Sequence, residues 1–192
     1  MFYPENAHVP ESLKTDEFLV RPLRATDVEL DYDAVVSSRA ELLLRSGDTW
    51  PREGFTLEEN LADLVQHERE HLDRVAFTYT VMNPTETECL GCIYINPPDR
   101  MLRGSGRNAE DLVGISTYEG WITFWVRQSR LGDNLDVRLL HALLAWFKTE
   151  WAFTRIAFAA PKAQERQMRL FTEAGMHLLY TFPNLLVYVL QG

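Results

Sequence analysis

Several things are scarce in this sequence, and each scarcity narrows what the chain can be. No apolar run approaches the ~20 residues that a membrane-spanning helix needs, so no membrane partner is expected. The opening MFYPENAHVPESLKTDE carries neither a basic leader nor an apolar segment, so no secretion signal is expected. Only 2 of the 192 residues are cysteine, which excludes a disulfide scaffold and makes a reduced, cytoplasmic setting the natural expectation. Positive charge is also in short supply, with 19 Lys and Arg against 28 Asp and Glu. The resulting net charge of −9 argues against sequence-independent binding to nucleic-acid phosphates and favours cationic partners such as amines. No fixed-period repeat and no linker-like low-complexity tract interrupts the chain. Its length suits one core, so residues 1–192 are read as a single domain, with 1–16 as a loosely ordered arm.

What is present follows two periodicities. Phe18 to Arg21 has strand composition, and Pro22 ends its regular pairing. Thr26-Asp27-Val28-Glu29 has capping-box spacing and predicts a helix through Ala34, Val35 and Val36. After a break at Gly47, Asp48, Trp50 and Pro51, a second box at Thr56 to Glu59 opens a helix. Leu57, Leu61, Leu64, Val65 and Leu72 predict its buried stripe. The period then falls to two. Strands are predicted at Phe77 to Val81, Cys89 to Ile95 and within Ile115 to Val126. The connection from Asn96 to Gly114 is long enough to be mobile or a flap. Gly132-Asp133-Asn134 turns into a helix with Leu135, Leu139, Leu140, Leu143 and Phe147 on one face. A strand at Arg155 to Ala160, a helix at Ala163 to Ala174 stopped by Gly175, and a hairpin around Pro183-Asn184 complete the order. Three successive strands predict an antiparallel meander. The strand–helix–strand unit after them predicts that the strand ending at Val126 and the strand Arg155 to Ala160 are parallel neighbours.

Three segments carry a resemblance to a known family. Phe18-Leu19-Val20-Arg21-Pro22-Leu23-Arg24 with Asp27 resembles an "L-R-P-L-x-x-x-D" opening. Trp125-Val126-Arg127 through Leu139-Leu140-His141-Ala142-Leu143 is similar to a strand, turn and helix that hold acyl-CoA. Gln164 to Met176 resembles an "N-x-x-S-x-x-L-Y-E-K-x-G-F" helix. Together they resemble the GNAT superfamily of acyl-CoA-dependent N-acyltransferases from about Glu17 onward. The resemblance implies an α/β (α+β) fold with a central mixed, mostly antiparallel sheet flanked by helices. It also implies acetyl transfer from acetyl-CoA to a primary amine of a small molecule or peptide, with no metal. A non-catalytic module of the same fold, binding a ligand or partner, is the competing reading. The oligomeric state is left open, a homodimer included.

The resemblance further implies that Trp125, Val126, Arg127, Leu131, Gly132, Asp133, Asn134, Leu135, Asp136 and Gln164 hold the cofactor. The physical basis is a helix N-terminus, whose free N–H groups and dipole favour pyrophosphate. The family pattern "Q/R-x-x-G-x-G/A" falls here on Leu131, Asn134 and Asp136, with Gly132 retained nearby. Asn tolerates the left-handed backbone that such a turn uses. Asp136 would repel a pyrophosphate, and Arg127, Arg130 and Arg138 are the nearby cations that could offset it. Asp136→Gly is therefore expected to tighten CoA binding. The family's tyrosine acid is replaced by Phe171, which has no proton to give.

Glu119, at the start of the central strand, is the first candidate general base, with Tyr94 and Glu88 on the preceding strand as others. Trp50 is a candidate substrate contact. His67-Glu68-Arg69-Glu70-His71 matches H-E-x-x-H, yet it reads more simply as a charged helix flank than as a zinc site. Cys89 and Cys92 lie three apart on a predicted strand and so are expected on opposite faces. No bound metal is expected on either ground. Arg103-Gly104-Ser105-Gly106-Arg107 reads as a flexible loop.

Overall fold

The computed structural model describes residues 2–102, 114, 115 and 117–190. It holds one eight-stranded sheet in the order β1-β2-β3-β4-β5-β6-β8-β7. The strands are β1 (Leu13–Lys14), β2 (Leu19–Pro22), β3 (Phe77–Met82), β4 (Cys89–Asn96), β5 (Gly120–Val126), β6 (Ile156–Pro161), β7 (His177–Thr181) and β8 (Leu185–Val189). Every neighbouring pair is antiparallel except β5 and β6, which are parallel as predicted.

Helices α1 (Val28–Ser37), α2 (Arg39–Ser46) and α3 (Leu57–Leu72) precede β3. The short α4 (Pro98–Leu102) follows β4; α5 (Leu135–Thr149) crosses from β5 to β6, and α6 (Glu165–Glu173) follows β6. Alternation along β3 divides the core between the two faces. Phe77, Tyr79 and Val81 join Leu139, Leu143 and Trp146 of α5 in one cluster. Met82, Cys89 and Cys92 join Val35 of α1, Leu42 of α2 and Leu64 of α3 in the other.

Local chemistry accounts for most element ends. Thr56 Oγ1 accepts from the Glu59 N–H at 3.2 Å while Glu59 Oε2 accepts from the Thr56 N–H at 2.9 Å, the reciprocal box read from the sequence. The earlier cap differs. Asp27, not Thr26, does the work, its Oδ2 accepting from the Arg24 N–H at 3.0 Å. The third predicted strand occupies Gly120–Val126, within the expected range, and the RGSGR motif and most of the Asn96–Gly114 connection lie outside the described residues.

Two expectations fail for tertiary reasons. On α3 only Leu64 of the predicted stripe is buried, whereas Leu61 is 40%, Val65 49% and Leu72 76% exposed. The helix is rolled so that Asn60, Leu64, His67 and His71 face inward, where Asn60 meets Asp31 of α1 and both histidines meet Thr78 of β3. The arm is not loose. Tyr3 is 1% exposed, donates to the His8 carbonyl at 2.9 Å, and packs edge-on against Phe77 and Trp151. Its hydroxyl also accepts from the Ala152 N–H at 3.0 Å, stitching the arm to the segment between α5 and β6. Tyr3→Ala is accordingly expected to cost about 3 kcal/mol in urea unfolding, the loss typical of a buried aromatic ring. A cost below about 1 kcal/mol would mean that the arm contributes no core.

Candidate active site

The site begins where two strands part. β5 and β6 pair only over Gly120↔Ile156, Trp121↔Ala157 and Ile122↔Phe158. Beyond Ile122, β5 stays with β4 while β6 turns to β8, so the later residues of β5 lose their partner on one side. The Phe124 carbonyl on that side accepts from Arg45 Nη1 of α2 at 2.9 Å and from Gln167 Nε2 of α6 at 3.1 Å. Side chains thus replace a strand in satisfying buried backbone.

The opening is a groove of about 250 Å³ lined by Phe124, Trp125, Val126, Leu131, Asp136, Gln164 and Arg166. Gln164 Oε1 is buried in the groove wall without a hydrogen-bond donor. Its amide nitrogen reaches the Glu41 carbonyl at 3.5 Å. Of the predicted cofactor residues, Trp125, Val126, Leu131, Asp136 and Gln164 converge here. Asn134 takes the left-handed conformation at φ 56°, ψ 35° as the residue before α5. Leu135 turns inward to the core, and Gly132 has open space where a Cβ would stand.

Arg127 does not join the groove. Its Nη2 donates to Asp33 Oδ2 at 2.5 Å and its backbone N–H to the Leu90 carbonyl at 2.7 Å, which turns it toward α1 and β4. The cations expected to offset Asp136 are likewise engaged. Arg130 pairs with Glu88 at 2.5 Å and Arg138 with Glu17 at 2.5 Å, and Asp133 sits on the exposed side within 3.9 Å of Arg130. The charge that meets Asp136 comes from elsewhere. Arg166 Nε donates to Asp136 Oδ2 at 2.6 Å and its Nη2 to Oδ1 at 2.8 Å. The same Nη2 also reaches the Leu131 carbonyl at 2.9 Å and Asn134 Oδ1 at 3.1 Å. Asp136 is therefore a neutralised anchor for the turn, and the repulsion expected of it is largely cancelled.

A second cavity, of about 410 Å³, opens on the other side of Trp125 and is lined by Trp50, Asp63, His67, Tyr94 and Trp125, with Asp31, Asn60 and Arg45 behind. Trp125 Nε1 donates to the Tyr94 hydroxyl at 3.3 Å, and Arg45 lies 5.7 Å from the Tyr94 ring centre. Burial raises the Tyr94 pKa well above the ordinary phenol value, so the phenol stays protonated. His67 Nδ1 is 3.2 Å from Thr78 Oγ1, and burial lowers its pKa, so the ring is neutral near pH 7. Asp63, hydrogen-bonded by Trp50, is raised by burial.

Glu119 is set apart from both cavities. It is exposed ahead of β5, at the far end from Val126, where its carboxylate accepts from the N–H groups of Thr154 and Arg155. It caps the entry to β6 and reaches no groove. Glu88 is committed to Arg130. Phe171 is fully buried against Phe124, Phe158 and Tyr188. The two histidines of H-E-x-x-H both direct Nδ1 at Thr78, His71 at its carbonyl 3.3 Å away. They are inward-facing, not a solvated flank. Glu68 accepts from the Ala25 N–H at 3.2 Å. Sequence reasoning missed Arg166, Asp63 and Arg45, whose only signals are tertiary, and saw His67 only as a possible metal ligand.

No protein-family model matches the sequence, and no curated protein matches it at a significant level. Solved structures do match. RimL, a ribosomal L7/L12 alpha-N-protein acetyltransferase, aligns with a TM-score of 0.68 and 16% identity over 96% of both chains. A ribosomal-protein-S5-alanine acetyltransferase from Vibrio fischeri aligns at 0.65 and 16%, over 93% of this chain and 95% of its own. The microcin C7 self-immunity acetyltransferase MccE, solved with acetyl-CoA and AMP, aligns at 0.66 and 10%, over 91% and 92%. The chain has the fold of the GNAT-family acetyltransferases.

The Asp136–Arg166 pair makes a direct prediction. Arg166→Ala strands a carboxylate whose side chain is only 7% exposed and should lower stability by roughly 1–3 kcal/mol in denaturant titration. Adding Asp136→Asn should restore most of that loss. If the double variant is no better than the single one, the pair is not what anchors the turn.

Proposed function

We propose that the protein transfers an acetyl group from acetyl-CoA to a primary amine of a small molecule or peptide. The observation that carries the reading is the pair of cavities meeting at Trp125, one bounded by a helix-opening turn and the other by titratable groups. The first groove suits the cofactor. Leu131 to Asp136 would lie against the pyrophosphate, with the start of α5 offering its free N–H groups and Arg166 cancelling the charge of Asp136. Gln164 Oε1, a buried acceptor without a donor, suits an amide N–H of the pantetheine arm. The Val126 backbone, two residues beyond Phe124, presents its N–H to the same side and would face the thioester carbonyl. Acetyl-CoA supplies the activated acyl group.

The second cavity suits the acceptor. Asp63 draws a cationic amine, and His67, neutral near pH 7, takes the proton that the nitrogen must shed on attack. Tyr94 holds a proton at the junction with the first groove and can give it to the departing sulfur, the task that Phe171 cannot perform. RimL, by its name, modifies the alpha-amine of a ribosomal protein. Such an amine is one member of the acceptor class proposed here.

Calorimetric titration with CoA tests the cofactor half. Binding in the micromolar range is expected, weakened by Arg166→Ala. Binding absent even at millimolar CoA would favour the non-catalytic reading. Thiol release from acetyl-CoA in the presence of short peptides with free N-termini, and of simple diamines, tests the rest. His67→Gln should lose roughly a hundredfold in kcat with CoA affinity unchanged. In the wild type the acid limb of the rate should fall below the ordinary imidazole value of about 6.5, because burial lowers the His67 pKa. That limb should vanish in His67→Gln, and its persistence would assign the base elsewhere.

A further inference from the structure

The geometry points to a binding site for a zinc-class divalent ion, made by Asp31 of α1 with Cys89 and Cys92 of β4. On a regular strand these cysteines would face opposite ways. A β-bulge removes that constraint. Thr80 pairs with Cys92 and Val81 with Gly91, but Met82 pairs with Cys89, so Leu90 is the extra residue. Cys89 and Cys92 thereby stand opposite Met82 and Thr80, two residues apart on β3, and both sulfurs point to the face covered by α1. The bulge is locked by Gly91, whose φ of 151° and approach to the Trp125 carbonyl leave no room for a side chain; a Cβ there would lie 2.1 Å from that oxygen.

The donor atoms are already gathered. The two sulfurs and a carboxylate oxygen of Asp31 lie within 4.8 Å of one another. Asp31 Oδ1 is 3.3 Å from Cys92 Sγ and 3.9 Å from Cys89 Sγ. A tetrahedral ion with bonds of about 2.3 Å to sulfur and about 2.0 Å to oxygen sets its sulfur–oxygen edges at about 3.5 Å, between those two distances. The other carboxylate oxygen is held away. Asn60 Nδ2 of α3 donates to Oδ2 at 3.0 Å, which orients the carboxylate and leaves Oδ1 to the sulfurs, the outer support that metal ligands ordinarily have.

Charge argues in the same direction. Asp31 is 4% exposed and each cysteine 1%. Among the described residues Asp31 forms no ion pair, so a divalent ion would supply the positive charge that a buried carboxylate lacks. Two sulfurs with one oxygen select a borderline-soft ion over calcium or magnesium. Asp31 and Asn60 also line the acceptor cavity, which gives an ion a way in and room for water at a fourth position. Three protein ligands with an open position is an established zinc arrangement.

The test is metal analysis and spectroscopy on the full chain. Protein purified without chelator and dialysed against zinc should retain about one equivalent by elemental analysis. Replacing zinc with cobalt(II) should give thiolate-to-cobalt charge-transfer absorption and the intense visible bands of a tetrahedral site. Cys92→Ser and Asp31→Asn should each remove or strongly weaken these signals. Asn60→Ala should weaken binding at least about tenfold while keeping the thiolate bands. His67→Gln should leave them unchanged. Wild-type protein that retains no zinc and shows no charge-transfer band with cobalt overturns the site, as does a band that disappears with His67→Gln but survives Cys92→Ser.

Discussion

The parting of β5 from β6 is the constraint on which the rest of the structure depends. A parallel pair normally continues until one strand ends, but here pairing stops at Ile122 and Phe158 while both strands run on. The backbone released on β5 cannot be left dry and unpaired, because each such group costs as much as a lost hydrogen bond. Arg45 and Gln167 meet the cost at the Phe124 carbonyl, and in doing so they fix α2 and α6 as the two banks of the groove. The break between α1 and α2 serves the same end. Ser38 at the break accepts from the Gln128 N–H at 3.0 Å, tying the helix pair to the turn that leaves β5. Groove and turn are thus consequences of one interrupted ladder.

The turn after β5 is held by a cation from a distant helix, not by those beside it in sequence. Arg127, Arg130 and Arg138 lie near it in sequence, but each is drawn off by Asp33, Glu88 or Glu17. Arg166 comes from α6, thirty residues beyond Asp136, and makes two hydrogen bonds to its carboxylate. Paired charges in two-point contact hold direction as well as energy. The guanidinium also touches Leu131 and Asn134, so one side chain braces three positions of the turn. Asp136, where the acyl-CoA-binding pattern has a small residue, thus changes how the turn is held more than it changes the local charge.

Periodicity made most of the fold legible and left the site half-read. The alternation of Phe77, Tyr79 and Val81 and the helical spacing of Leu135, Leu139 and Leu143 needed no partner to be recognised, and both gave correct buried faces. Asn134 was legible because few residues tolerate its backbone angles. On α3 two overlapping stripes satisfy the same period, one through Leu57, Leu61 and Leu64 and one through Asn60, Leu64 and His67. Hydropathy favoured the first, while Asp31 and Thr78, invisible locally, select the second. The bulge at Leu90 and the capping role of Glu119 have the same character, for each depends on what a distant strand or loop places opposite.

The acceptor cavity also explains why the base in the proposed reaction need not be a carboxylate. A cationic amine must be attracted and then deprotonated, and a single exposed Glu does the first better than the second. Burial moves two titratable groups of this cavity, Asp63 upward and His67 downward. The lowered His67 is thereby unprotonated at neutral pH and free to accept a proton. Asp63, near His67 on the same helix face, also favours the imidazolium that forms, so charge created during attack is met as it appears. Thr78 fixes the ring through Nδ1 and leaves Nε2 for the acceptor. The histidine spacing that resembles a zinc motif is thus accounted for by one ring, His67, with the catalytic role proposed above and one, His71, that packs edge-on against Phe77 and Tyr79.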